Sequence, residues 1–325
     1  MLRATCFVVD ARESAGSGHI RRSKRIALEI DKSLSLPFLI LLRDNYVKVL
    51  EPIYTSTGFD WIESEIPEHA ELGIIVDSYN LTDHENAYNL GKIAWKGHLK
   101  DTGTPKKLND HLFFNVELTV KNDFVDCSDV ILDKNMYKFD QPNKLDNSFV
   151  ILPGGVTESK TIEKIINILI KKGVKKIGIV NTFQKETFKS LVKKYKLSTC
   201  TKEEEIFKFL SSFSYGVGTT GLGFFERLYY DLAQISIVTS ENEVKRMQLL
   251  SNFKNSFCFL DVNKINNLED IDFKFFSPKK KIDLFGASRI GERINNYWSF
   301  LGIRQTSCNY WHSISKKTSK NYKFL

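Results

Sequence analysis

Short apolar runs alternate with amphipathic stretches along most of this chain. Cys6 to Val9, Leu36 to Leu42, Leu72 to Val76 and Val130 to Leu132 read as buried strands. Ile20, Ala27, Leu28 and Ile30 recur at helical spacing behind the first of them, and further helical patterns fall near 45–51 and 82–90. A polar stretch from Asp133 to Asn147, rich in Asn and Lys and carrying Pro142, reads as a linker. After it the alternation restarts. Strands are expected at Phe149 to Leu152, Ile177 to Val180, Tyr215 to Val217, Ile235 to Val238 and Phe257 to Leu260, with a short apolar run near 197–200. Helices are expected with Ile162, Ile165, Ile166 and Leu169 on one face, at about 184–195, 202–212 and 241–251, and around Ile290, Ile294 and Tyr297 to Leu301. This alternation predicts two parallel sheets, each covered by helices.

With 325 residues the chain is longer than one core usually supports, so two domains are expected. The boundaries read as an N-terminal Rossmann-like domain over 1–135, a linker over 136–147, a C-terminal Rossmann-like domain over 148–300 and a basic tail over 301–325. Forty-seven Lys and Arg against 39 Asp and Glu give a net charge of +8, which favours an anionic partner. No zinc-finger spacing, basic-region heptad or RNP-type aromatic motif accompanies that charge, so nucleic acid is not the expected partner. The tail, with Arg304, Lys316, Lys317, Lys320 and Lys323, is a candidate for peripheral contact with anionic lipid. Five scattered cysteines fit neither a disulfide framework nor a CxxC metal site. The first residues are too short an apolar run for a signal peptide, and no stretch reaches the roughly 18 apolar residues of a membrane span, so a cytoplasmic protein is expected.

Two stretches carry candidate chemistry. Ala15-Gly16-Ser17-Gly18-His19-Ile20-Arg21-Arg22 lies between the first strand and the first helix. Two glycines let backbone amides approach an anion at a helix N-terminus, and the helix dipole there disfavours a charged imidazole, so His19 is a candidate neutral base. Arg21 stands where a dinucleotide fingerprint has its third glycine, and no Gly-Lys-Ser/Thr follows, which excludes both common phosphate loops. The strand ending at Asp77-Ser78-Tyr79 places Asp77 and Tyr79 on the same sheet rim. In the second half, Gly218-Thr219-Thr220-Gly221-Leu222-Gly223-Phe224-Phe225-Glu226-Arg227 repeats the strand, turn and helix logic. Thr219, Thr220, Gly221 and Gly223 offer donors to a phosphate, and Glu226 offers a carboxylate to the two hydroxyls of a ribose. Asp270-Ile271-Asp272 has the form of a metal-binding D-x-D but sits beside Glu269 and reads as a solvated turn. His69, His84, His98, His111 and His312 lack ligand spacing, so no metal and no cofactor is expected.

In order along the chain, Gly16-Ser17-Gly18-His19 with Arg21 or Arg22, Asp77-Ser78-Tyr79, Gly154-Gly155, Gly218 to Arg227, Asn242 and Gly286-Ala287-Ser288-Arg289 resemble the UDP-sugar hydrolase of pseudaminic acid biosynthesis. That family is related to spore-coat polysaccharide proteins. The resemblance implies an α/β GT-B architecture, with two doubly wound domains facing a central cleft. It implies metal-free hydrolysis of UDP-2,4-diacetamido-2,4,6-trideoxy-beta-L-altropyranose or a similar UDP-sugar in surface-glycan biosynthesis. His19 and Tyr79 would then act at the sugar, and the C-terminal domain would hold UDP. Leu222-Gly223 replaces the family's Ser-Thr, Phe225 its tryptophan, and Asn242-Glu243 its Asn-Gln; Asp231-Leu232-Ala233 lacks its proline. These departures keep two alternatives open: a GT-B glycosyltransferase using a nucleotide-sugar donor, and a non-catalytic nucleotide-sugar-binding protein. The residues leave the oligomeric state undetermined.

Overall fold

The computed structural model describes residues 3–11, 18–42, 54–57, 71–89, 93–101, 103–105, 108, 112–121, 124–139, 144–154, 158–181, 186–253, 256–273 and 279–301. The chain divides into two compact units. Unit 1 comprises Met1–Glu117, Asp129–Ile131 and Phe285–Leu325, and unit 2 comprises Leu118–Ser128 and Leu132–Leu284.

In unit 1, β1 (Arg3–Val9), β2 (Leu36–Leu41), β3 (Tyr54–Thr57), β4 (Glu71–Asp77), β5 (Ile93–Lys100) and β6 (Leu112–Asn115) form one sheet in the order β3-β2-β1-β4-β5-β6. Every neighbouring pair is parallel. Parallel strands need crossovers, and crossovers cover both faces, so the central strands β1, β2 and β4 are buried along almost their whole length and largely apolar rather than alternating. The period of two then sorts each strand between two cores. Phe7, Val9, Leu39, Leu41 and Ile75 enter one, together with Ile20, Ile26 and Ala27 of helix α1 (Gly18–Ala27). Cys6, Val8, Phe38, Ile40, Ile74 and Val76 enter the other, with Ala87 of α2 (Leu81–Tyr88).

Unit 2 repeats the plan. Strands β7 (Thr119–Lys121) and β8 (Phe124–Asp126) form a small sheet with a late strand, β15 (Lys279–Lys281). The main sheet runs β11-β10-β9-β12-β13-β14, all parallel, from β9 (Leu145–Leu152), β10 (Lys176–Val180), β11 (Ser198–Cys200), β12 (Phe213–Thr219), β13 (Ala233–Val238) and β14 (Phe257–Asp261). Its helices are α3 (Ser159–Lys171), α4 (Glu186–Tyr195), α5 (Ile206–Ser211), α6 (Leu222–Tyr229) and α7 (Glu241–Leu249). The Ile162, Ile165, Ile166 and Leu169 stripe of α3 packs on Phe149, Ile151 and Val217. Both sheets have the doubly wound order in which ligand crevices open where the winding reverses, here between β1 and β4 and between β9 and β12.

Three expectations are corrected. Val130 to Leu132 is buried but forms no strand: the Ile131 carbonyl accepts from Arg25 Nη1 at 3.0 Å, and a side chain at Gly286 would lie 2.6 Å from the Val130 carbonyl oxygen. Burial there comes from packing, which a short apolar run does not distinguish from strand pairing. The 136–147 linker is part of unit 2 where it is described. Lys134–Phe139 forms a 3-10 helix, Met136 is fully buried, and its carbonyl accepts from Tyr230 Oη at 2.9 Å. The last helix, α8 (Gly286–Phe300), belongs to unit 1, so the second unit does not extend to residue 300. Its Ala287, Ile290, Ile294 and Trp298 complete the first core, and Trp298 Nε1 donates to Thr5 Oγ1 at 3.0 Å. The expected helix near 45–51 and the tail beyond Leu301 lie outside the described residues.

Candidate active site

The rim of unit 1 is built by the strands that flank its winding reversal. The Asp10 amide donates to the Asp77 carbonyl at 3.0 Å, tying the end of β1 to the end of β4. Helix α1 buries His19, Ile20, Ser23, Ile26 and Ala27, a single stripe at helical spacing. His19 is therefore the first-turn member of a core-facing stripe and only 3% exposed. Its ring meets Tyr79 edge-to-face, with centroids 4.6 Å apart and planes at 86°. Nδ1 is buried and has no hydrogen-bond partner among the described residues. Burial lowers the His19 pKa more strongly than Asp77, Asp101 and Asp10 raise it, and Arg22 reinforces the lowering. The ring is thus held towards its neutral form.

Beneath this pair lies a charge cluster. Arg22 Nε donates to both Asp77 oxygens, at 3.1 and 2.9 Å, and Nη2 also bonds Asp77. Arg22 Nη1 donates to Asp101 Oδ2 at 2.6 Å, and Tyr79 Oη donates to the same oxygen at 2.9 Å. Ser23 Oγ adds a bond to Asp77 Oδ2 at 2.9 Å. Burial works against the Arg22 charge, but the two carboxylates outweigh it and raise its pKa well above the ordinary value. The guanidinium expected at substrate is thus engaged by two carboxylates. Asp101 holds the Tyr79 hydroxyl, and sequence reasoning missed it. Its available signal was position, since it directly follows β5 on a parallel-sheet rim. Arg21 lies in α1 next to Arg22, Gly18 opens that helix, and Gly16 and Ser17 lie outside the described residues.

In unit 2 the β12 to α6 turn, with Gly154 after β9, occupies the winding reversal. Gly154 has φ of +67°, and a side chain there would sit 2.7 Å from Thr219 Oγ1; Gly155 lies outside the described residues. Arg227 is fully buried under the turn, donating through Nη2 to the Thr219 carbonyl at 3.0 Å and through Nε to Gln234 Oε1 at 3.2 Å. Burial pushes its pKa down to about 9, with Glu226 and Glu243 opposing. Gly216 leaves room for it, since a side chain there would lie 2.3 Å from Arg227 Cδ. Glu226 is 1% exposed, so the expected ribose contact requires it to be uncovered.

Glu243, which stands where the resembled family has Gln, is the organiser of this rim. Its Oε1 accepts the Thr220 amide at 2.9 Å, and its Oε2 accepts the Thr239 amide at 2.6 Å and Thr239 Oγ1 at 2.8 Å. Arg246, also missed, bonds the Thr220 carbonyl and places its guanidinium 5.2 Å from the centre of the Phe225 ring. Gly221 caps α6, Leu222 and Gly223 begin it, and Asn242 lies in the first turn of α7. Asp270 and Asp272 are exposed. Among the described residues no group of three or more His, Cys, Asp or Glu could hold a metal ion, and no helix is long and apolar enough to cross a membrane.

A scan against models of protein families finds no match, and a search of curated protein sequences finds none. Solved structures do match. The chain aligns with S. aureus MnaA in complex with UDP at a TM-score of 0.54 and 8% identity, over 93% of this chain and 99% of that one. It aligns with Acinetobacter baumannii MurG at 0.52 and 8%, over 91% and 99%. A third match is the glycotransferase of kitacinnamycin, at 0.50 and 8%, over 91% and 96%. At such identities the likeness is one of fold, and the fold is GT-B, with two Rossmann-like units.

Proposed function

We propose that the protein is a metal-independent nucleotide-sugar hydrolase that releases UDP from a UDP-activated amino-deoxy sugar of the 2,4-diacetamido-2,4,6-trideoxy type. The reading is carried by the buried Nδ1 of His19, which has no hydrogen-bond partner among the described residues, set against Tyr79 on the rim of a doubly wound sheet. Unit 1 supplies the base and unit 2 the nucleotide site. A neutral imidazole takes a proton from water, the water oxygen bonds to the anomeric carbon, and the bond from that carbon to the diphosphate breaks, so UDP leaves with the electron pair. Donors at 218–223 stabilise the charge that develops on the diphosphate. The MnaA structure of this fold was solved with UDP, which supports a uridine nucleotide as the first one to try.

The same groups serve a glycosyltransferase in which an acceptor hydroxyl replaces water. That second reading is favoured by the glycotransferase among the structures of this fold and by Leu222-Gly223 in the turn. The test is UDP release from a panel of UDP-sugars with and without sugar acceptors. Release without acceptor is the hydrolase result, and release only with acceptor is the transferase result. UDP binding without release makes the protein a non-catalytic binder. In either enzymatic case His19→Ala lowers the rate by about 10²- to 10⁴-fold. A fully active His19→Ala variant refutes the proposal.

A further inference from the structure

We propose that the Glu243 carboxylate stands in for a ligand phosphate, occupying the donors at the ends of β12 and β13, and that a nucleoside diphosphate binds unit 2 by displacing it. This rests on the nucleotide-sugar reading given above. The carboxylate accepts two backbone amides and one hydroxyl, from Thr220 after one strand and Thr239 after its parallel neighbour. Convergent backbone amides and a threonine hydroxyl at strand-to-helix turns are the donor set that holds phosphate oxygens.

A purely local role does not account for the geometry. Ser240 and Glu243 have capping-box spacing at the start of α7, yet Ser240 makes no side-chain cap bond. Glu243 reaches past the cap to Thr239 and across to Thr220, 23 residues away. A second observation points to a missing ligand atom. Thr220 is fully buried, and its Oγ1 has no hydrogen-bond partner among the described residues. A carboxylate has only two oxygens to offer this rim, whereas the terminal phosphate of UDP brings three. Displacement requires only that one side chain in the first turn of α7 leave its present position. Until it leaves, its negative charge faces the incoming phosphate.

The test is calorimetric titration of the full chain with UDP and, separately, with inorganic pyrophosphate. Wild type is compared with Glu243→Gln and Glu243→Ala, with folding verified by circular dichroism. Gln is isosteric and preserves packing if the Ala variant unfolds. Whichever way its amide turns, the nitrogen faces a backbone amide donor, so it cannot reproduce the carboxylate's bonds. Removing the competing charge is expected to tighten UDP binding by about tenfold or more in both variants. If wild type binds UDP and the variants bind it equally or more weakly, Glu243 is a structural tether and displacement is overturned, while the nucleotide reading stands. If no protein binds UDP but the variants gain pyrophosphate affinity, the anion site stands and the uridine reading falls. If neither probe binds any of the three proteins, both are overturned.

Discussion

Replacing His19 by Gln should flatten part of the acid limb of stability in unit 1. His19 is buried on the core-facing stripe of α1, and burial sets its folded pKa below the unfolded value, which lies near about 6.5. Above that value neither state holds the extra proton, and His19 contributes no pH dependence. As pH falls through the unfolded pKa, the unfolded chain gains a proton that the folded chain refuses. Stability is then lost at up to about 1.4 kcal/mol per pH unit until the folded pKa is reached. Between about pH 7.5 and about pH 5.5, wild type should therefore lose more stability than His19→Gln, by at most about 1.4 kcal/mol. Urea unfolding followed by tryptophan fluorescence measures this. Trp95 and Trp298 sit in the core of unit 1, and residues 118–128 and 132–284 contain no tryptophan, so the signal reports that unit. Parallel acid shifts in the two proteins would refute the buried, neutral imidazole. A wild type that gains on the variant in acid would mean that Asp77 and Asp101 hold His19 as a cation, which is incompatible with a base.

Two further outcomes test the architecture. Arg22→Met leaves Asp77 and Asp101 facing each other without their shared cation, and should lower unit 1 stability by about 3 kcal/mol in the same urea assay; a loss below about 1 kcal/mol would show the cluster to be well solvated. Trp298→Ala removes a fully buried ring and its bond to Thr5, at a cost of about 3 to 5 kcal/mol. Amide exchange should then quicken in β1 and not in β9, and equal acceleration in both would refute the placement of α8 in unit 1.

Where local pattern carries the physics, the sequence is legible. β1, β2 and β4 are continuous apolar runs because both of their faces are covered, and α3 shows its stripe because one face is. β5 escapes notice because Lys96, Gly97 and His98 interrupt it, although Trp95 is fully buried within it. A side chain at Gly73 would fall 2.1 Å from Trp95 Cζ2, so the residue fits only in the folded sheet. Likewise the apolar stripe of α8 is local, but the core it completes lies nearly 300 residues back, at Thr5. The candidate turns are visible for the same reason as the strands. Their partners are not: Asp101 is 79 residues from Arg22, and Asp77 is 55. Arg22 in a glycine turn reads as a ligand for anions until the carboxylates that claim it are placed.

The two rims solve one physical problem in opposite ways, and the difference bears on which ligand each can take. Loops at the carboxyl ends of parallel strands lack ladder partners, so buried side chains must tether them. In unit 1 the tether is a cation shared by Asp77 and Asp101, and the cluster as a whole keeps an excess of negative charge beside His19. Arg22, engaged by both carboxylates, has little to offer a diphosphate there, and His19 is held towards its neutral form. In unit 2 the tether is a carboxylate on backbone amides, which remain donors once it moves. The polarity of the tethers is therefore in keeping with the proposal that the second unit takes the nucleotide.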